Sequence, residues 1–272
     1  RSPGAGSVGS AAMATPAAVR VWGSNWALYR HMWRADAAGN LLQPLLYLLG
    51  MGIGVGALVD ESGQSTEMLG GVSYLAFLAP ALIATTAMMT SATEALWPLL
   101  AGFKWTNQFL AMTATPLHPV DVVSGFALWV ATRAVIGSAA VAAVLVLFDE
   151  TRSWGLLAAI VFGVLTGLAF AMPVAAWTST QEREISFPAI IRFGLIPLFL
   201  FAGAFFPIDQ LPEWAQAIAY VTPLYHGVEL TRGAVLGTLD LGAAAGHVAV
   251  LVAYATSGYV ICRRTFTTRL EK

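Results

Sequence analysis

Six stretches of this chain are long, apolar and almost free of charge: 41–59, 68–93, 122–148, 153–180, 185–206 and 241–262. The only charges inside them are Arg133 and Arg192. A helix needs about 20 apolar residues to cross the roughly 30 Å hydrocarbon core of a bilayer. Backbone polar groups cannot stay unpaired in lipid, so such runs must be helical or form a closed barrel. A barrel would show alternating segments of about 10 residues, and none is present. The expected fold is therefore an all-α integral membrane protein with six transmembrane helices. Composition agrees, because only 11% of the 272 residues are charged, against about 25% in a soluble domain.

The same composition excludes several functions. A formal net charge of −1 gives no basic surface for a nucleic acid. One cysteine, Cys262, rules out a disulfide framework, and His31, His118, His226 and His247 lack metal-ligand spacing. Charge also sets an orientation. With six spans both termini share a side, and with that side cytoplasmic the inner segments hold Arg20, Arg30, Arg34, Lys104, Arg183, Arg263, Arg264 and Arg269. The outer segments hold only Arg152 and Arg232 as cations. Positive residues favour the inside, so both termini are expected in the cytoplasm, with the chain multi-pass in the plasma membrane.

The chain divides into a disordered tail over 1–18, an interfacial amphipathic helix over 19–36, a six-span domain over 37–262 and a cytoplasmic tail over 263–272. Trp22, Trp26, Tyr29 and Trp33 share one face of the second part, with Arg20, Arg30 and Arg34 beside it. Aromatic rings and arginines in that pattern settle at the headgroup level of membrane lipid.

No catalytic machine is legible. A phosphate-binding loop needs G-x-x-x-x-G-K-[ST], and neither Lys104 nor Lys272 follows one. The run "GMGIGVG" (50–56) lies inside an apolar stretch, where Gly52 and Gly56 read as small-residue helix packing. His226 and Glu229 read as a polar pair. The segment 205–233, "FFPIDQLPEWAQAIAYVTPLYHGVELTRG", stands apart. Leu211, Trp214, Ile218 and Val221 recur with helical spacing, and Pro223 interrupts the run. Two short helices, joined at Thr222–Pro223 and continuing to about Leu236, are expected between the fifth and sixth spans. Their place at the outer leaflet makes Trp214, Pro223, Tyr225, His226 and Glu229 candidates for an exit gate.

The longer run "FAGAFFPIDQLPEWAQAIAYVTPLYHGVELTRGAVLG" closely resembles the segment after the fifth span in permeases of the type-2 ABC exporter family. The nearest resemblance is to nodulation-type lipo-oligosaccharide exporters and daunorubicin-resistance permeases. A second match is "FKWTNQFLAMTATPLHPVDVVSGFALWVATRA" (103–134), which resembles the family's cytoplasmic connection between spans two and three. The resemblance implies a permease subunit working as a pair of copies above two ABC ATP-binding subunits, which bind the ATP and Mg. It implies no cofactor in this chain. It also implies a coupling helix near Phe103, Lys104, Trp105, Gln108, Phe109 and Met112. Many relatives carry an Arg-Glu-Gly-Thr pattern there, whereas this chain has "LLAGFKWTNQF".

Arginine at mid-bilayer is costly and faces a cavity or a partner. Arg133 lies about 18 Å of helix beyond Asp121, and Arg192 about 12 Å beyond Glu184, at 1.5 Å per residue. Both are candidates for a substrate path, with pairing to Glu94 the structural alternative for Arg192. The expected function is outward movement of an amphipathic substrate: a lipid-linked saccharide, a lipid or a hydrophobic drug. An ion-coupled secondary transporter is the alternative, weakened because the uncharged runs hold no acid for coupling.

Overall fold

The computed structural model describes residues 16–61, 63, 69 and 71–271, without the side chains of 40 and 60. Most of the expected disordered tail and the start of the second apolar run at 68 lie outside the described residues. The described residues form helices and no strand.

The first helix, α1, spans Ala17–Tyr47 and continues through a π-helical stretch, Leu48–Val55, into α2, Gly56–Glu61. The interfacial helix and the first span expected from sequence are thus one unbroken helix. The stop signals that would divide them, Gly39–Asn40 in "AAGN" (37–40) and Pro44 beyond, are all taken into the helix. The glycines of the π-helical stretch divide its faces. A Cβ on Gly52 would sit 3.0 Å from Leu75, while Gly50 has open space around it. Gly52 therefore packs within the chain rather than toward a second copy.

Ser73 caps α3, Tyr74–Glu94, accepting the Ala76 N–H at 3.2 Å. Almost every residue of α3 up to Met88 is buried, because α6, α7 and α11 surround it. Next come two short helices, α4 (Trp97–Lys104) and α5 (Gln108–Thr113). Asn107 turns the chain between them with φ 49°, a left-handed conformation that asparagine tolerates better than most residues. The "TPLHPVD" turn then starts α6, Pro119–Leu145. Pro119 occupies the first helical position, and the Asp121 carboxylate accepts the His118 backbone N–H at 2.9 Å. An acceptor at that site ties down the entry of the helix.

Helix α7, Gly155–Thr178, returns through the bundle. The fifth apolar run forms α8 (Phe187–Ile190), a π-helical turn Ile191–Leu195 and α9 (Ile196–Phe201). Gly203, with φ 79°, ends it. Among the described residues, five helices are long and apolar enough to cross a membrane, while Phe187–Phe201 is a shorter apolar helix. Then follow α10 (Glu213–Val221), α11 (Pro223–Leu236) and α12 (Leu241–Leu270). The Asp240 side chain caps α12 by accepting from Gly242 and Ala243.

The two short helices after the fifth run have different surroundings. Helix α11 is wedged among α3, α7 and α12 and buries Leu224, Val228, Leu230 and Val235. Glycine makes this approach possible, since a methyl at Gly155 would overlap the Ala234 carbonyl oxygen. Helix α10 buries only Ala215 and Ala219. Its expected apolar face, Trp214, Ile218 and Val221, points away from the rest of the chain. The pair is therefore not a symmetric surface hairpin.

Candidate functional site

At one end of the bundle, Lys104 to Met112 forms an exposed elbow. The six residues expected to couple divide by face. Phe103 and Phe109 form a ring cluster with Phe266, with centroids 4.8–5.7 Å apart. Phe109 is buried, and Met112 packs against the same cluster. These three anchor the elbow to the bundle. Lys104 pairs with Glu182, and Gln108 turns its amide toward Ser24 and Asn25 of α1. Trp105, 60% exposed, is available to a partner. Leu110, 57% exposed, was missed from sequence, where nothing distinguishes its face from that of Phe109.

Behind the elbow lies the most connected polar cluster of the molecule. Arg133 of α6 is buried and makes two hydrogen bonds to the Asp36 carboxylate, at 2.5 and 2.6 Å. Its Nε lies 3.4 Å from Glu94. Tyr29 donates to Asp36 at 2.8 Å, Trp129 donates to Glu94 at 2.7 Å, and the guanidinium sits 4.8 Å from the Tyr29 ring. Trp22 adds a bond from its indole N–H to Thr132 at 2.9 Å. Two expectations change here. Glu94 pairs with Arg133, not with Arg192, which is exposed on the π-helical turn. The cluster also brings two acids into the bundle, because helices that continue past the uncharged runs carry Asp36 and Glu94 with them. A cavity of about 420 Å³ reaches from Arg133, Asp36 and Glu94 to Gln108 of the elbow.

At the opposite end, Arg232 is the keystone. It donates to Phe77 O at 3.1 Å, Gly203 O at 2.6 Å and Glu229 at 2.9 Å, with its guanidinium 3.8 Å from the Phe77 ring. It thereby binds α11 to α3 and to the turn closing α9. Sequence reasoning counted Arg232 only as an outer charge, because its acceptors are backbone carbonyls that leave no side-chain signal. Of the five gate candidates, Trp214 is exposed on α10, Pro223 is buried at the start of α11, and Glu229 pairs with Arg232. Tyr225 makes edge contacts with Tyr220, His226 and His247. His226 donates from Nε2 to Tyr220 O at 3.0 Å, so its Nδ1 accepts from His247 Nδ1 at 2.7 Å.

Burial holds the His226 pKa below its ordinary 6.5, against the opposing Tyr220 hydrogen bond and with help from His247. The neutral form is thus favoured in the fold, and the unfolded chain binds the proton more tightly. Stability is fully present above pH 6.5 and should fall as pH drops through the folded pKa below it. Thermal unfolding in detergent at pH 7.5 and 5 checks this, with His226→Gln expected to flatten the dependence. A melting temperature that rises on acidification would contradict it.

Comparison with known proteins supplies the deciding observation. Residues 19–236 match the ABC-2 type transporter family. The chain belongs to that family. It is 34% identical over 222 residues to Nodulation protein J of Rhizobium leguminosarum bv. trifolii, covering 80% of this chain and 81% of the relative. Nodulation protein J of Rhizobium meliloti (strain 1021) is 31% identical over 255 residues, 93% of each chain. The Inner membrane transport permease YadH of Escherichia coli (strain K12) is 20% identical over 244 residues, 89% of this chain and 91% of the relative. The chain is thus a multi-pass membrane permease of an ABC transporter family. The ion-coupled carrier is set aside.

Proposed function

We propose that this ABC-2 permease exports an amphipathic substrate across the plasma membrane, driven by a separate pair of ATP-binding subunits. The cavity that joins the elbow to the Arg133 cluster is the observation that carries this reading. Movement of the elbow by an ATP-binding subunit would be felt at once by Asp36, Glu94 and Arg133, which hold α1, α3 and α6 together. Trp105 and Leu110 are the contacts offered to that subunit. No phosphate-binding loop exists in the sequence, so ATP and Mg belong to the partner.

In this reading the helix Phe187–Phe201 completes a six-span layout with both termini cytoplasmic. Two copies meet through the exposed stripe Leu42, Leu46, Leu49 and Ile53, where Gly50 and Gly54 face outward. The stripe recurs at helical spacing and Phe193, Ile196 and Leu200 of the fifth run are likewise exposed, which supports a shared face. Substrate passes between the copies, and α10 with Tyr225 of α11 gates release. A lipid, a lipid-linked saccharide or a hydrophobic drug fits a path with apolar walls and few polar groups.

The orientation is open to direct test. In a Cys262→Ser background, which removes the single buried thiol, Glu213→Cys should react with an impermeant thiol reagent added outside cells. Thr106→Cys should react only after permeabilisation. The reverse pattern would overturn both the topology and the export direction.

A further inference from the structure

A second polar cavity, of about 520 Å³, opens at the elbow end of the bundle between α4, the end of α7 and the last turns of α12. Lys104, Arg264 and Arg269 line it together with Glu182 and the hydroxyls of Ser179 and Thr268. Three cations face one carboxylate. That carboxylate, 71% exposed, pairs with Lys104 and lies 3.9 Å from Arg269, which leaves the cations in excess. Arg269 is fixed in place, donating to Ser179 O at 2.7 Å and Gln181 O at 2.9 Å, with its guanidinium 4.3 Å from the Phe103 ring. Arg264 has no ion-pair partner among the described residues. The cavity thus holds a positive surplus on a partly rigid frame.

What lies below the mouth narrows the ligand. Val260 and Ile261 precede Arg264 by four and three residues, so all three share one face of α12. Both are about half exposed, at 48% and 52%. One turn beyond, Thr268 is exposed on the same face. The face therefore reads apolar, cationic, hydroxyl in order toward the helix end. A free anion would use the cations alone, whereas an acylated one would also cover the apolar turn. Basic pockets between helices beside an anionic leaflet suit lipid headgroups.

We propose that this cavity binds the phosphate of an anionic membrane lipid, with the acyl chains lying along Val260 and Ile261. Lys104, Arg264 and Arg269 neutralise the phosphate beside Thr268, whose hydroxyl hydrogen is held by Arg264 O at 3.0 Å. The site borders the cytoplasmic leaflet in the orientation proposed above, and it needs no ATP-binding subunit.

Native mass spectrometry of the permease alone in detergent tests the site, using phosphatidylglycerol, phosphatidylcholine and glycerol phosphate as probes. Phosphatidylglycerol should bind in preference to phosphatidylcholine. Each unit of charge removed should weaken it about five-fold, so Arg264→Glu should lower the apparent affinity by more than ten-fold. Arg264→Lys should hold it within a few-fold. Arg263→Glu, whose side chain does not line the cavity, should bind as the wild type does. Size-exclusion profiles identify any variant that fails to fold, and the Arg264→Lys and Arg263→Glu results then carry the comparison. Equal binding of phosphatidylcholine, unchanged affinity in a folded Arg264→Glu, or equal losses in both glutamate variants would overturn the proposal. Glycerol phosphate binding as tightly as phosphatidylglycerol would overturn the lipid as the source of the phosphate. Because the permease is measured without its partner, these outcomes are independent of whether it couples to an ATPase.

Discussion

Arg133→Met should destabilise the permease by about 3–5 kcal/mol, the usual result of stripping one partner from a buried ion pair. The substitution keeps an apolar stem of similar reach but leaves Asp36 and Glu94 facing each other without a cation. Asp36 loses both of its guanidinium hydrogen bonds, and Tyr29 loses the cation beside its ring. Thermal unfolding in detergent measures the change. Combining Arg133→Met with Asp36→Asn and Glu94→Gln should recover part of the loss, since the uncompensated charges disappear with their partner. Arg133→Met melting with the wild type would show that the cluster holds nothing together, and the link from elbow to bundle would go with it.

Arg232→Met is expected to act at the opposite end with comparable force, costing about 3 kcal/mol or more. Three acceptors, Phe77 O, Gly203 O and Glu229, lose their donor at once. A buried acceptor left unsatisfied costs about 1–3 kcal/mol, more where it is charged. Arg232→Lys separates geometry from charge. A lysine ammonium cannot reproduce the planar fork that spans two carbonyls and a carboxylate, so most of the loss should persist. Glu229→Gln keeps an acceptor and should cost much less. Unfolding midpoints for the three variants give the order, and a fully stable Arg232→Lys would reduce the keystone to a simple charge.

Much of the fold was legible because the bilayer allows few alternatives. Five of the six uncharged runs correspond to helices long enough to cross a membrane, and "TPLHPVD" located the start of α6 through proline and capping chemistry. Pro223 marked the joint between α10 and α11 for the same local reason. The first boundary was not legible: residues 19–36 read as a helix separate from the span, whereas the chain runs helically through Gly39, Asn40 and Pro44 into it. Burial of α11 was equally hidden, because its close approaches join distant positions, Gly155 of α7 to Ala234 and Gly227 of α11 to Thr166.

The polar sites were less legible still. Arg133 stood out as a charge in an apolar run, but Asp36 is 97 residues away and sits on a helix read as interfacial. Nothing local joins the two. Glu94 stood as an alternative partner for Arg192, whereas the packing of α3 against α6 brings it to Arg133. The elbow was found through family resemblance, and only its side-chain packing separates Phe103, Phe109 and Met112, which anchor it, from Trp105 and Leu110, which face outward.

The central claim is that this chain turns ATP hydrolysis by a separate subunit into export through the elbow. Co-reconstitution into vesicles with the cognate ATP-binding subunit tests it most directly, by following ATP-dependent movement of a fluorescent amphipathic substrate. The permease alone should neither hydrolyse ATP nor move substrate, and the complex should do both. Trp105→Ala with Leu110→Ala should abolish movement and weaken subunit association while leaving the permease folded. Transport that proceeds without the ATP-binding subunit, or that survives loss of both exposed elbow residues, would contradict the account.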